Sequence, residues 1–347
     1  MPVNTERPTR PTVVVVMGDA ELAAAVLHTE LRARLAEVAE PGPCAVPESL
    51  ASQPGRESAL GPADLLITGW GCPALTMDLL AAAPRLKAVI HAAGSVKSLV
   101  TEAVWERGLV VSSAADANAG PVADYTMAAV VLAGKKALST AAAYGADGID
   151  GTGWPGFQDR QGLDGRCIGV VGASRIGRKV IARLNASEAG CQVLLYDPYV
   201  SATEAARLGV ERVDLNTLCR TSTIVTLHAP ERPETRWLLD AERLALIPDG
   251  GTVINTARGS LIDTEALTRE CASGRLDAIL DVTDPEPLER GHPLITLPNV
   301  LLTPHIAGAQ GSEVRRLGAF AVGEVERWVR GMPLLGRVRR EELERLA

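Results

Sequence analysis

Short runs of apolar residues alternate along the chain with longer segments in which apolar residues recur every three or four positions. The short runs are typical of buried strands, and the longer segments are typical of helices that cover a sheet. Together they predict an α/β protein in which crossover helices join parallel strands. In the first third of the chain, the predicted elements are the strands Thr12–Met17, Leu65–Thr68, Leu86–Ala92 and Leu109–Ser112 and a helix over Glu21–Ala39.

A second series of strands begins at Arg166. It includes a strand that ends at Val171 and continues with Val193–Tyr196, Ile224–His228, Thr252–Asn255, Ala278–Asp281 and Val300–Thr303. Six parallel strands are the number in a doubly wound, Rossmann-like sheet that binds a dinucleotide.

Three further segments complete the predicted elements. They are a long helix over Pro121–Lys135, a glycine-rich loop over Tyr144–Gly156 in which Trp154 packs as an anchor, and a last helix over Ser312–Val329. The chain has 347 residues, more than the roughly 250 to 300 at which a single core stops growing. We therefore predict two domains: one of residues 116–309, and a discontinuous one of residues 1–115 and 310–347.

Composition and charge exclude several classes of protein. Apolar residues make up 46% of the chain and charged residues 22%, which is typical of a well-packed globular protein. The net charge of −7 argues against binding to nucleic acid. The basic run Arg337, Arg339 and Arg340 is interpreted as a solvated tail. No stretch approaches the roughly 20 apolar residues of a membrane span, and no signal peptide is recognised, so a cytoplasmic protein is expected.

The six cysteines are spread along the chain without a C-x-x-C pair and without a cluster that includes histidine. Neither a zinc site nor a disulfide framework is therefore expected, and no metal is predicted.

A glycine-rich turn follows the strand that ends at Val171. The segment Gly172-Ala-Ser-Arg-Ile-Gly177 leads into a helix, as in turns that hold a pyrophosphate at a helix N-terminus. Ser174 replaces the middle glycine, so it either displaces the pyrophosphate outward or offers its hydroxyl as a donor. Asp197 lies at the end of the next strand, where a carboxylate accepts from ribose hydroxyls. It predicts NAD rather than NADP, although Arg175 complicates this choice.

Three later segments carry a resemblance to a known family. They are Asn255-Thr-Ala-Arg-Gly-Ser-Leu-Ile-Asp263, Asp281-Val-Thr-Asp-Pro-Glu-Pro-Leu288 and Thr303-Pro-His-Ile-Ala-Gly308. Together they resemble the signatures of the D-isomer-specific 2-hydroxyacid dehydrogenases, and the resemblance extends from about Leu65 to Val338. It implies a cofactor domain with a doubly wound sheet and a discontinuous, flavodoxin-like substrate domain.

By this resemblance, Arg258, Glu286 and His305 take the places of the family's catalytic arginine, acid and histidine. The chemistry asks for the same three types, because oxidation of a 2-hydroxy acid needs a base for the hydroxyl proton. A carboxylate beside the imidazole favours its charged form, and a guanidinium binds the substrate carboxylate. His228 is expected to contact the cofactor, whereas His28, His91 and His292 are expected to be structural.

The resemblance also implies a set of cofactor contacts, most of them at or near strand ends. The set comprises Gly172, Ser174, Arg175, Ile176, Gly177, Asp197, Pro198, His228, Ala229, Pro230, Thr235, Thr256, Ala257, Asp281 and Gly308.

The family binds the substrate carboxylate through a Gly-x-Gly-Val-Asp loop, which here reads Ala93-Gly94-Ser95-Val-Lys97. Ser95 replaces a glycine and Lys97 replaces an acidic residue. Lys97 either accommodates an anionic or bulky substrate group or is a solvated lysine at a helix start. Trp70, which follows another strand, either contacts substrate or packs in the core.

The resemblance implies a homodimer that forms through the cofactor domains, with the Pro121–Lys135 helix as an interface element, and a small 2-hydroxy or 2-oxo acid as substrate. Two alternatives stay open. One is a non-catalytic regulator or corepressor that senses NAD(H), and the other is a dehydrogenase for an unusual small acid or aldehyde, including a phosphorus-containing one.

Overall fold

The structure is a computed structural model that describes residues 10–50, 58–147 and 161–345. The chain forms two compact units. Unit 1 contains the described residues up to Asn118 together with those from Ala309 onward, and unit 2 runs from Ala119 to Gly308.

Thirteen strands lie within the described residues. In chain order they are β1 (Thr12–Val16), β2 (Glu40–Ala45), β3 (Leu65–Thr68), β4 (Ala88–His91), β5 (Val110–Ser113), β6 (Cys167–Val171), β7 (Gln192–Tyr196), β8 (Glu211–Arg212), β9 (Ile224–Leu227), β10 (Gly251–Asn255), β11 (Leu276–Leu280), β12 (Val300–Leu302) and β13 (Arg337–Val338).

The described part of the chain also contains thirteen α-helices. They are α1 (Ala20–Val26), α2 (Thr29–Val38), α3 (Pro47–Leu50), α4 (Met77–Ala81), α5 (Glu102–Glu106), α6 (Ala115–Gly134), α7 (Ala137–Asp147), α8 (Arg175–Asn185), α9 (Ala202–Leu208), α10 (Leu215–Thr221), α11 (Ala241–Leu246), α12 (Thr264–Ala272) and α13 (Val314–Val329).

Unit 1 is built on a six-stranded sheet in the order β13-β5-β4-β3-β1-β2. The pairs from β2 to β5 are parallel, and β13 pairs antiparallel with β5. Successive side chains of a strand point to opposite faces. Accordingly, Val13 and Val15 pack in a cluster with α1, α2 and α13, whereas Val14 and Val16 pack in another with α4 and α5.

Helix α13 brings the chain back to unit 1 from unit 2. Leu317, Val322 and Val325 are fully buried in the cluster that includes Val26. Gly318 permits this close packing, because a Cβ at that position would lie 1.8 Å from the carbonyl oxygen of Val26. The last helix therefore completes a core that the first stretch of the chain begins.

Unit 2 is built on a seven-stranded parallel sheet in the order β12-β11-β10-β9-β6-β7-β8. Apolar residues of α6 and α8 cover one face, and those of α10, α11 and α12 cover the other. This is the predicted doubly wound arrangement, and the α/β fold class is confirmed. The order of strands reverses beside β6, where such sheets bind their ligands.

Several element boundaries differ from the sequence prediction. The helix predicted over Glu21–Ala39 is two helices, because Leu27 leaves the helical conformation (φ −109°, ψ 70°) and α2 starts anew at Thr29. The interpretation of Arg337 as part of a solvated tail was wrong, since Arg337–Val338 is an edge strand. The strands β2 and β8 were not predicted.

The helix after the first domain is also longer than predicted. Helix α6 begins at Ala115, six residues before the buried Pro121, and ends at Gly134. The loop prediction from Tyr144 was wrong for its first residues, because α7 runs through Asp147. Its alanine-rich sequence favours a helix. The rest of that segment, with Trp154, lies outside the described residues.

Candidate cofactor and active site

The glycine turn of unit 2 is closed by contacts that exclude larger residues. Gly172 has φ +96°, and a Cβ there would lie 2.8 Å from the backbone nitrogen of Ala229. A Cβ on Gly177 would lie 2.1 Å from the carbonyl oxygen of Gly172. Both glycines are therefore required by close backbone approach, which brings the N-terminus of α8 directly behind the end of β6.

Ser174 is the N-cap of α8. Its hydroxyl accepts a hydrogen bond from the Gly177 N–H at 3.3 Å. Such a cap satisfies one of the N–H groups that a helix leaves unpaired at its start. The hydroxyl keeps its own proton, so it can still donate to a bound group, as one of the two sequence alternatives requires. Arg175 and Ile176 form the first turn of the helix.

Asp197 joins the end of β7 to the glycine turn. Its two carboxylate oxygens accept from the N–H groups of Ala173 at 2.7 Å and Tyr199 at 2.8 Å, and Pro198 lies between Asp197 and Tyr199. A carboxylate offers about four lone-pair sites, so two remain for hydroxyl donors.

His228 follows β9 at the place where the strand order reverses. Its Nε2 lies 3.0 Å from Thr226 Oγ1, and its buried Nδ1 has no hydrogen-bond partner in the described part of the chain. Burial lowers the pKa of His228 to about 3. Because buried polar atoms are nearly always paired, this nitrogen indicates a ligand atom beside it. The orphaned nitrogen and the glycine turn fit a dinucleotide.

The remaining predicted cofactor contacts flank the same sheet edge. Ala229 and Pro230 continue from β9, and Thr235 donates to the Pro230 carbonyl at 2.7 Å. Thr256 lies beyond β10, where its hydroxyl meets Thr126 Oγ1 of α6 at 2.9 Å.

Arg258, Glu286 and His305 lie beyond the carboxyl ends of β10, β11 and β12, which are neighbours in the sheet. His305 Nδ1 lies 2.7 Å from Glu286 Oε1. The two side chains are 51% and 44% exposed, so this contact contributes at most about 1 kcal/mol to stability.

The backbone conformation of His305 is unusual. Its φ is +55°, a left-handed value that costs a non-glycine residue roughly 1–2 kcal/mol. Asp281 holds the loop in place: its carboxylate accepts from Thr303 Oγ1 and from the N–H groups of Ile306 and Ala307, and its carbonyl accepts from the His305 N–H. Asp281 is 1% exposed. Most of its lone pairs are thus used inside the loop, leaving about one for a cofactor.

Arg258 and Glu286 lie on loops that touch each other. A Cβ on Gly259 would lie 1.9 Å from the carbonyl oxygen of Thr283. Thr264 Oγ1 also donates to the Asp284 carbonyl at 2.7 Å. Arg258 Nη1 donates to the Ala257 carbonyl at 2.6 Å, which uses one of the five guanidinium donors.

The loop after β4 in unit 1 holds the other predicted substrate contacts. Ser113 donates to the Gly94 carbonyl, with the Ala93 carbonyl at 3.3 Å, so β5 fixes the backbone of this loop. Ser95 Oγ accepts from the Lys97 N–H at 3.4 Å. Sequence reasoning missed Ser113, because the contact depends on how β4 and β5 pair.

Trp70 follows β3, the neighbour of β4, and is 37% exposed, so it is not a core residue. Two glycines pack closely beside Trp70. Gly71 has φ +78°, and a Cβ there would lie 2.4 Å from Gly18 Cα. The Gly18 N–H donates to the Trp70 carbonyl at 2.8 Å.

Three further observations concern side chains and helices outside these loops. No group of three or more possible metal-ligating side chains occurs among the described residues. All six cysteines are free thiols. None of the helices in the described ranges is both long and apolar enough to span a membrane.

Acidification from pH 6.5 to 4 is expected to destabilise the protein. Burial lowers the pKa of His91 to about 4, from an ordinary value of 6.5, and the ring is buried with its Nδ1 2.9 Å from Thr68 Oγ1. In this window the unfolded chain binds the proton and the folded chain does not, so stability rises with pH, by up to about 1.4 kcal/mol per pH unit. Below pH 4 the folded chain also binds the proton, so the full contribution of the neutral His91 ring to stability has been lost.

Urea unfolding at pH 7, 6 and 5 measures the effect. His91→Gln should lower the slope of the free energy of unfolding against pH and leave the part that buried His228 contributes, whereas His28→Gln, at the start of α2, should leave the slope unchanged. An equal slope in wild type and His91→Gln would contradict the prediction.

Comparison with known proteins gives the same family that the sequence resembles. A family model described as the NAD-binding domain of D-isomer-specific 2-hydroxyacid dehydrogenases matches residues 136–307. D-3-phosphoglycerate dehydrogenase of Methanocaldococcus jannaschii is 33% identical over 271 residues, 78% of this chain and 50% of that protein. The chain therefore spans about half the length of that relative.

Two further relatives are matched over a larger share of their own length. Hydroxypyruvate reductase of Thermotoga maritima is 32% identical over 72% of this chain and 80% of its own length. A crystal structure of a protein from Thermus thermophilus is 30% identical with a TM-score of 0.74, over 94% of this chain and 100% of that chain. The chain thus belongs to the D-isomer-specific 2-hydroxyacid dehydrogenase family.

Proposed function

We propose that the protein is an NAD-dependent dehydrogenase that interconverts a small D-2-hydroxy acid and its 2-oxo acid. Unit 2 would hold the cofactor and unit 1 the substrate. The observation that carries the proposal is the 2.7 Å contact between His305 Nδ1 and Glu286 Oε1, on loops beside the one that carries Arg258. An imidazole held by a carboxylate is the group that a reversible proton transfer at a hydroxyl requires.

The nicotinamide, when bound, accepts or supplies the hydride. His305 would transfer the proton of the substrate hydroxyl. Because Nδ1 faces the Glu286 carboxylate, it carries a hydrogen in the bonded tautomer, and Nε2 is left to take the hydroxyl proton. In the reverse direction the charged ring returns that proton, and Glu286 stabilises the charged form.

Arg258 would bind the substrate carboxylate and stabilise negative charge on the reacting oxygen. With one donor used on the Ala257 carbonyl, four remain for a forked contact with a carboxylate. Such charge-assisted bonds orient the acid so that C2 presents one face to the hydride, which fits the D-isomer specificity of the family.

The loop of Ala93, Gly94 and Ser95 would contact the substrate through its backbone N–H groups, and Trp70 would form an apolar wall beside this loop. The Ser113 hydroxyl supports this assignment, since it fixes the carbonyl groups of the same loop. Lys97 would accommodate an additional anionic or bulky group of the substrate.

Cofactor choice and assembly follow from two further features. The Asp197 carboxylate would accept from the adenosine ribose and repel a 2′-phosphate, which favours NAD over NADP.

Helix α6 exposes Val131 (45%) and Leu132 (39%), and we infer a homodimer formed through this helix of the cofactor unit. We place the protein in the cytoplasm, where its free thiols stay reduced.

The test of the function is NADH consumption with a panel of 2-oxo acids: glyoxylate, hydroxypyruvate, pyruvate, branched-chain analogues and a phosphorylated acid. Turnover of one or more is the expected result, with stereospecific formation of the D-2-hydroxy acid from every accepted acid except glyoxylate, whose product is achiral. NADH binding without turnover of any acid would instead favour a regulator that senses NAD(H). Turnover of the phosphorylated acid alone would favour the unusual dehydrogenase.

Replacing Lys97 with alanine is expected to lower kcat/KM selectively for acids with a second anionic group, by about tenfold for each lost charge-assisted contact. Simple acids such as pyruvate should be affected less. Lys87→Ala, which precedes β4 rather than following it, is the matched control. Unchanged kcat/KM for every accepted acid would assign Lys97 to the solvated surface.

A further inference from the structure

A chain of hydrogen bonds connects helix α6 to the loop that carries His305. Tyr125 Oη lies 2.7 Å from Thr303 Oγ1, and Thr303 Oγ1 donates to Asp281 Oδ1 at 2.7 Å. A hydroxyl has one hydrogen, and that of Thr303 is used on the carboxylate. Thr303 must therefore accept from Tyr125, so the phenol is the donor that completes the chain.

The direction of this bond agrees with the surroundings of the phenol. Burial raises the pKa of Tyr125 above its ordinary value, and the nearby Asp281 carboxylate adds to the shift. The phenol thus keeps its proton throughout the neutral range.

The chain of hydrogen bonds from Tyr125 ends at Asp281, which holds the His305 loop in place. Asp281 is almost fully buried, and it binds the loop at Thr303, Ile306 and Ala307, on both sides of His305. The loop must hold His305 at φ +55°, where a side chain rarely stays without outside restraint. Thr303 also accepts the hydrogen bond from Tyr125, which lies on helix α6, outside both this loop and strand β12.

We propose that Tyr125 is a positioning residue for His305, acting through Thr303 and Asp281 to keep the imidazole on the Glu286 carboxylate. The inference rests on the proposed function for its kinetic consequence, but its structural consequence does not need turnover. Tyr125 is far from His305 along the chain, and no motif of the family resemblance assigned it a role.

The kinetic test uses Tyr125→Phe, which removes one oxygen and keeps the ring. Small displacements of a catalytic group cost much of the rate, and we expect kcat to fall by about 3- to 30-fold. The Kd of NADH, measured by its fluorescence, and the thermal midpoint should stay at their wild-type values. Tyr144→Phe makes the same change on α7 and should retain full kcat.

A double-mutant cycle tests the route. Thr303→Val removes the acceptor, so adding Tyr125→Phe to it should cost nothing further, while Thr303→Ser should restore most of kcat. Additive losses would overturn the proposal, and so would an unchanged kcat in Tyr125→Phe.

A second readout is independent of catalysis. Side-chain nitrogen NMR resolves the five histidines, and His305→Ala assigns the His305 signals. In Tyr125→Phe, the Nδ1 resonance of His305 should shift and its proton should exchange faster, while those of His91 and His228 stay in place. An unchanged His305 spectrum would refute the positioning role even if the wild-type protein turned over none of the acids. A changed spectrum without turnover would keep this inference and refute the proposed function alone.

Discussion

His305→Ala is expected to lower kcat for 2-oxo acid reduction by at least about 100-fold, because a positioned general acid or base contributes that much or more. The Kd of NADH should change little, since the His305 and Glu286 side chains are half exposed and the substitution leaves no buried cavity. Stopped-flow measurement of NADH oxidation gives the chemical step, and fluorescence titration gives the Kd.

Two controls separate chemistry from structure in that experiment. His28→Ala changes a histidine of unit 1 that makes no side-chain cap contact with its helix, and should keep wild-type turnover. Glu286→Gln keeps a hydrogen-bond acceptor for the ring but removes the charge, and should give an intermediate loss. If His305→Ala retained most of its kcat, or lost NADH binding instead, His305 would be a structural residue.

Gly177→Ala is expected to weaken NADH binding by at least about 100-fold, or about 2.7 kcal/mol. The added Cβ would lie 2.1 Å from the Gly172 carbonyl oxygen, well inside any real contact distance, so α8 must move away from the turn. That movement withdraws the helix N-terminus from the pyrophosphate. Isothermal titration with NADH measures the loss, and circular dichroism checks that the unit remains folded.

Gly162→Ala is the matched control, because a Cβ at that position would meet nothing within 4 Å and the backbone there is not left-handed. Its NADH affinity should equal that of the wild type. Equal affinity in Gly177→Ala as well would mean that this turn does not hold the cofactor.

Much of the architecture could be predicted because buried parallel strands leave a strong local signal. The runs at Thr12, Leu65 and Ile224 are short and apolar, and each is a strand in the structure. The edge strands β2 and β8 lack this signal. Strand β2 has the sequence EPGPCA and mostly exposed side chains, and β8 consists of the exposed pair Glu211 and Arg212. Prolines are tolerated in β2 because it lies at the edge of its sheet.

The residues of the candidate site also fall into two groups, those with a local sequence signal and those without one. The glycine turn and the three strand-end residues could be found because each is a local pattern or lies within a family motif. The Tyr125–Thr303 bond joins residues 178 positions apart, and the Ser113–Gly94 bond depends on the register of two strands. Contacts of this kind follow from tertiary packing, for which a single sequence carries no local pattern.

The return of α13 to unit 1 sets an order for assembly during synthesis. Residues 119–308 are complete before α13 is made, so unit 2 can fold while the first stretch still lacks the helix that covers Val26 and Leu31. Domains generally fold as units, in the order in which the ribosome releases them. The nascent amino-terminal stretch therefore carries an uncovered apolar surface while all of unit 2 is elongated, and a ribosome stalled before residue 314 should present it to chaperones.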